Sequence, residues 1–261
     1  MRVRWLGWAG VEIEEQGERI VVDPLEDAAA VFEWIGESAA SMPRPDVLAP
    51  RAGALAGLVT HLHRDHADAA ALVAALSTDA SVYEPQGYGG GRSEQLATAQ
   101  ADQELRAAEL ERKPTAPWTS MTIGPFAVTA LPAVDGTGDP QVSWLIEARG
   151  KRVLHLGDTM FHGWWWRVTE RFGAPSAVFA PINGARVSFP HRRPASPLAA
   201  VMDPEQAALA AELLQADQLV PIHCDGYALP GLYEPVPDAL ERLKARSNRV
   251  TVLKLGESIE I

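Results

Sequence analysis

The sequence predicts an α/β fold in which two β-sheets pack face to face with helices on the outside. Two observations carry this expectation. Short β-branched runs alternate with helical stretches, and the strand-like runs gather in each half of the chain. In addition, 261 residues with 47% apolar and 22% charged composition suffice to bury one large core, so a single domain spanning 1–261 is expected.

In chain order, Arg19–Asp23, Gly57–Thr60, Phe126–Leu131, Val142–Ile146 and Arg152–Leu156 read as strands, being short, apolar and bounded by turn residues. Ala67–Leu76, Ser93–Leu110, Pro204–Leu214 and Pro237–Ala245 read as helices. Gly87–Arg92 is glycine-rich but lacks the lysine and spacing of a phosphate-cradling loop, and is expected to be a plain loop. Between 185 and 200 arginine, proline, serine and alanine dominate, predicting a long loop beside the active site.

Composition narrows the function. The formal charge of -11 repels polyanions, so no nucleic-acid partner is expected. No stretch approaches the roughly 18 apolar residues of a membrane span, and the first residues lack a signal-peptide core, so no membrane partner is expected. The one cysteine, Cys224, fits a reducing compartment and predicts a cytoplasmic location, with space-filling as its expected role. A small-molecule substrate is the expected partner, and a homo-oligomer is left open.

The chemistry concentrates in Thr60-His61-Leu62-His63-Arg64-Asp65-His66. In extended backbone residues two apart point the same way, so His61 and His63 can grip one ion while Asp65 and His66, at the turn into a helix, face a second. Three of the chain's seven histidines fall within these six positions together with an aspartate, a concentration that favours metal binding over a chance collection on a loop.

This segment matches in full the His-x-His-x-Asp-His motif of the metallo-β-lactamase superfamily, which the sequence resembles. Asp23-Pro24, Leu156-Gly-Asp-Thr159, Met202–Ala207, Val220-Pro-Ile-His223 and Leu255–Ser258 extend the likeness along most of the chain, towards the branch containing L-ascorbate-6-phosphate lactonase. The resemblance implies a four-layer αββα sandwich and two divalent ions, zinc first, with manganese or iron as alternatives. It implies that Asp158 bridges both ions and that His223 completes the second site with Asp65 and His66. Taken alone, Asp158 would be read as a helix cap and His223 as a core histidine. Two such ions can share and acidify a hydroxide that attacks a lactone, ester, amide or phosphoester, and Asp65 can orient that nucleophile.

Two positions depart from the family pattern. Asp135 stands where a third histidine of the first site is expected; it is either a carboxylate ligand, favouring harder ions, or a turn residue before Gly136. Trp8 occupies a position where relatives carry histidine, and is expected to be an ordinary buried tryptophan.

Further candidates lie nearby. His162, shortly after Asp158, is either a leaving-group acid or a loop histidine, and His155 is expected to be structural. Of the consecutive Trp164-Trp165-Trp166, at least one is expected to face a ligand or partner unless a helix between layers absorbs them all, and Trp164 is a candidate substrate contact. Pro181-Ile-Asn-Gly184 resembles the family's loop beside the active site, which makes Asn183 a candidate substrate contact. Arg186, His191, Arg192 and Arg193 form either an anion receiver or a solvated basic loop. The expected activity is metal-dependent hydrolysis of a small molecule, with an anionic substrate left open. A nucleic-acid phosphodiesterase and a di-iron redox protein are the alternatives.

Overall fold

The computed structural model describes residues 1–89 and 96–261. The start of the helix expected from Ser93 and the end of the Gly87–Arg92 loop lie outside these described residues.

The first half of the chain supplies β1 (Arg2–Gly7), β2 (Gly10–Glu15), β3 (Glu18–Val22), β4 (Ala54–Leu58), β5 (Leu76–Pro85) and β6 (Glu111–Thr115). The second supplies β7 (Ser120–Ile123), β8 (Phe126–Pro132), β9 (Val142–Ala148), β10 (Lys151–His155), β11 (Ala177–Pro181), β12 (Arg186–Val187), β13 (Gln218–Ile222), β14 (Tyr233–Glu234) and β15 (Ser258–Glu260). One sheet runs β15-β1-β2-β3-β4-β5-β6 and the other β13-β11-β10-β9-β8-β7, both mixed, with β12 and β14 as a separate pair. The last strand returns to the edge of the first sheet, joining the two ends of the chain.

Alternation along the strands sorts side chains into layers. Val11, Ile13, Ile20 and Val22 on one sheet meet Phe126, Val128, Trp144 and Ile146 on the other, forming the central core. The outer face of the second sheet, with Leu145, Leu154 and Val178, packs on the helices α3 (Trp165–Phe172), α4 (Pro204–Leu213) and α5 (Ala239–Arg246). The outer face of the first, with Val21 and Val82, packs on Leu72 of α1 (Ala69–Ala75) and Leu105 of α2 (Ala99–Ala107). The four-layer αββα order expected from the sequence is the order observed.

Helix ends follow capping chemistry. α1 starts two residues later than expected because Asp68, in extended conformation, caps it by accepting from Ala70 and Ala71 N–H. α4 starts at Pro204 behind a reciprocal capping box of Asp203 and Gln206. The 185–200 stretch is not wholly loop: Arg186 and Val187 pair with Glu234 and Tyr233, a partner almost fifty residues away that no local signal announces.

Every candidate ligand follows the carboxyl end of a strand. The His61–His66 turn follows β4, Asp135 follows β8, Asp158 follows β10 and His223 follows β13. Val142 N–H donates to Thr60 O at 2.9 Å, stitching the end of β4 to the opposite sheet. Gly157 is required here. Its φ is +61°, and a Cβ would sit 2.7 Å from that of Thr60, so only glycine lets the Asp158 turn press against the His61 turn.

Candidate metal centre

The ligand atoms fall into two groups, each with its atoms within 4.8 Å of one another: His61, His63 and Asp135, and Asp65, His66, Asp158 and His223. In the first, His61 Nε2 faces His63 Nδ1 at 2.9 Å. In the second, the two oxygens of Asp158 divide their attention, Oδ1 lying 3.1 Å from His66 Nε2 and Oδ2 2.9 Å from His223 Nε2. His66 Nε2, His223 Nε2 and Asp158 Oδ1 are buried without a hydrogen-bond partner, although their lone pairs converge. Buried polar atoms are ordinarily satisfied, and a converging set of imidazole nitrogens and carboxylate oxygens left without partners fits a cation. The second group therefore fits a metal ion, and the first fits one by its donor set of two imidazoles and a carboxylate. The carboxylate expected at position 135 lies with His61 and His63.

A second ring of residues holds the first. Asp23 Oδ2 sits 2.7 Å from His66 Nδ1 and accepts from Thr60 Oγ1 at 2.6 Å, fixing the imidazole so that Nε2 faces Asp158. Asp139 Oδ2 lies 3.0 Å from His63 Nε2 and takes an Arg192 guanidinium at 2.7 Å. Asp139 was not singled out in the sequence because nothing in Gly138-Asp-Pro140 marks it apart from other turn aspartates. Asp135 closes a turn, its Oδ2 accepting from Thr137 N–H, Thr137 Oγ1 and Asp139 N–H, and its carboxylate also lies within reach of His61 and His63.

Trp8 is not an ordinary core residue. Only 2% exposed, it donates Nε1–H to Asp65 Oδ2 at 2.9 Å, lays its ring 3.8 Å from that of His223, and accepts the His223 backbone N–H. Trp8, Asp23 and His223 all have positive φ, of 47°, 44° and 51°, a strained conformation for non-glycine residues.

Charge within the centre is strongly coupled. Burial disfavours the charged form of His66, but Asp158, Asp65 and Asp23 outweigh it and hold the imidazole well above its ordinary range. His63 is likewise pushed up to about 9, against burial, by the Asp139 hydrogen bond and the charges of Asp135 and Asp139. Burial, then His66 and His63, keep His61 low and neutral. Burial works against the Asp65 and Asp158 carboxylates as well, yet His66 and His223 hold both below the usual carboxylate range.

A cleft of about 440 Å³ opens onto His63, Asp65, Asp135 and Asp158. Four residues expected near the reacting centre do not line this cleft. His162 stacks on Trp165 with ring centroids 3.8 Å apart, and its Nδ1 accepts Trp164 N–H; burial depresses it to about 4. Trp164 sets its ring edge to face against Trp118. Asn183 is buried, donating an amide N–H to Tyr233 Oη and accepting from Ala185 N–H at Oδ1, so it shapes the loop. Arg186 is exposed on β12 opposite Glu234. Among the described residues none of these four lines the cleft. His155 is structural as expected, bonding Ala9 O through Nε2, and burial raises the Cys224 thiol to about 12, leaving it a poor nucleophile.

A protein-family model described as Beta-lactamase superfamily domain matches residues 18–224. Along its whole length the chain is 25% identical to a UPF0173 metal-dependent hydrolase of Thermococcus onnurineus, covering all of both chains. Among solved structures it resembles the isothiocyanate hydrolase from Delia radicum gut bacteria, at a TM-score of 0.68 and 16% identity over 100% of this chain and 99% of that one. It also resembles CmlA, a diiron β-hydroxylase from Streptomyces venezuelae, at a TM-score of 0.70 and 16% identity, over 100% of this chain and 54% of that one. At these identities the two structures speak for the fold alone.

Proposed function

This chain belongs to the metallo-β-lactamase superfamily, and on that premise we propose that it is a metal-dependent hydrolase of a small molecule, working with two divalent ions. The observation that carries the reading is the pair of ligand groups at the floor of one cleft, with the Asp158 carboxylate held between His66 and His223. His61, His63 and Asp135 would hold one ion, and Asp65, His66, Asp158 and His223 the other. Bound there, divalent ions supply Lewis acidity and an acidified water. The protein's own part is positional. Asp23 and Asp139 aim His66 and His63, Trp8 pins Asp65, and Asp65 at the cleft floor is placed to accept and orient a proton of the attacking water.

Elemental analysis of the purified protein tests the ligand set. Two equivalents are expected in the natural protein and one in each of Asp65→Ala, His66→Ala and His223→Ala, with loss of lactone, ester, amide or phosphoester hydrolysis. Unchanged metal content in these variants overturns the assignment.

A second reading, oxygen chemistry at a di-iron centre, is favoured by one feature: the carboxylate of Asp135 in place of a neutral ligand, which hardens the first group. Iron that exchanges poorly for zinc, with oxygen uptake by the reduced protein, would support it; full hydrolytic activity with zinc alone would not. The narrower likeness to L-ascorbate-6-phosphate lactonase stays an expectation, since the curated relatives carry the broader description of metal-dependent hydrolase.

A further inference from the structure

The cleft above the ligand carboxylates has two unlike ends. Its floor presents His63, Asp65, Asp135 and Asp158, while the far wall is built by Phe32, Trp34 and Phe189 with Val31, Val187 and Val201. The wall is a connected aromatic array. Trp34 meets Phe189 edge to face at 5.4 Å, Phe189 stacks on His191 at 5.8 Å, and Phe32 stands 6.4 Å from both Trp34 and Phe189. It continues inward from Phe32 to Tyr227 at 5.0 Å, Tyr227 to Trp8 at 5.0 Å, and Trp8 to His223 at 3.8 Å, so the apolar wall and the metal ligand share one packing unit. Yet Trp34 is 48% exposed, a large apolar surface turned outward beside the buried Phe32 and Tyr227.

Among the described residues, the cations near the cleft are ion-paired with carboxylates or lie outside it. Arg64 bridges Asp68 and Glu104, Arg192 is bound to Asp139, and Arg186 lies outside the cleft opposite Glu234. His191, on the wall, is held towards the neutral form by burial and then by Arg192. Seated against Phe32, Trp34 and Phe189, an anionic group would therefore lose hydration without a free cation beside it among the described residues, whereas an apolar group gains by leaving water. A volume of about 440 Å³ falls in the range of small-molecule sites.

Resting on the hydrolase reading of the floor, we infer that the substrate is a neutral molecule whose non-reacting end is apolar, aromatic or branched aliphatic, and seats against Phe32, Trp34 and Phe189, with the scissile group directed at Asp65 and Asp158.

The inference is tested by binding and by turnover separately. For binding, 3-phenylpropanol is compared calorimetrically with 4-(3-hydroxypropyl)benzoate, the same molecule carrying a carboxylate at the distal end of the ring, on the metal-loaded protein. The neutral probe is expected to bind at least about ten-fold more tightly, and Trp34→Ala and Phe189→Ala, both at a partly exposed rim, to erase most of that preference without altering metal content. Equal affinities, tighter binding of the benzoate, no binding of either probe, or a preference untouched by both substitutions overturns it. For turnover, kcat/KM is expected to rise at least about ten-fold from γ-butyrolactone to its γ-phenyl derivative and to fall again for the γ-(4-carboxyphenyl) derivative. If the neutral probe binds as expected and no lactone, ester, amide or phosphoester is hydrolysed, the hydrolase reading fails while the apolar subsite stands.

Discussion

Trp8 joins both ends of the second ligand group, bonding Asp65 through its indole N–H while its ring and carbonyl oxygen hold His223. Residues that orient metal ligands characteristically cost about 10–100-fold in metal affinity when changed. Trp8→Phe keeps a ring beside His223 but removes the donor, so second-site affinity is expected to fall by about ten-fold while the first site is unaffected. Competition with a chromogenic chelator measures this, and an unchanged second constant would reduce Trp8 to packing. Asp135 permits a sharper separation of roles. In Asp135→Asn the amide oxygen can still accept from Thr137 and Asp139 and preserve the turn, but the carboxylate charge is gone. This variant is expected to melt close to the natural protein and to hold one fewer equivalent of metal; two retained equivalents would leave Asp135 as a turn residue only. At this scale the sequence was informative wherever ligands are close in the chain. His61, His63, Asp65 and His66 announce themselves by spacing, but Asp139 and Trp8 act through contacts 76 and 57 positions distant, which no spacing reveals.

The elements that place these side chains are held by their ends. α1 follows the His61–His66 turn directly, and its cap Asp68 does more than close a helix: Oδ1 accepts from Ala70 and Ala71 N–H, and Oδ2 from Glu26 and Asp27 N–H and pairs with Arg64. Removing a capping side chain costs about 1 kcal/mol, and the further buried donors left unpaired about 1–3 kcal/mol. Asp68→Ala is therefore expected to destabilise the protein by about 3 kcal/mol in urea unfolding, and to weaken metal binding because the turn bearing His66 loses its anchor; Asp68→Asn should recover much of both. A loss below about 1 kcal/mol would mean the loop from Glu26 is held by other contacts. Strong periodicity made β3, β8, β9 and β10 legible. β6 was not, because Glu111-Arg-Lys-Pro-Thr115 is a polar edge strand whose pairing partner supplies the order. α3 was hidden for the opposite reason: its tryptophan-led start carries no helix propensity, and only Trp165 and Val168 are buried, leaving Trp166 58% exposed.

The centre lies at the seam of the molecule. His61 to His66 come from the first sheet, whereas Asp135, Asp158 and His223 come from the second, so each ion would tie the two halves together, and metal binding is a contribution to global stability. At ion concentrations about 1,000 times the dissociation constant, that contribution is about 4 kcal/mol. Its dependence on pH follows from the histidines. His63 binds its proton more tightly in the fold, at about 9, than in the unfolded chain, near 6.5, against the penalty of burial and because Asp139 and Asp135 face it. In metal-free protein this proton stabilises the fold fully below about 6.5, and the benefit disappears as pH rises through about 9. His66 and His223, also raised, act in the same direction. Metal requires the deprotonated imidazoles, so protons compete with it most strongly at low pH. The two trends oppose each other. The rise in melting temperature on adding metal to chelator-treated protein is therefore expected to widen steadily from pH 6 to pH 9, partly because the metal-free protein weakens and partly because the ion binds more tightly. Melting curves with and without chelator at pH 6, 7.5 and 9 measure it. A metal-induced shift that is constant or shrinks over that interval would mean that the ions do not displace protons from His63, His66 and His223, and that these histidines are paired to their carboxylates for structure alone.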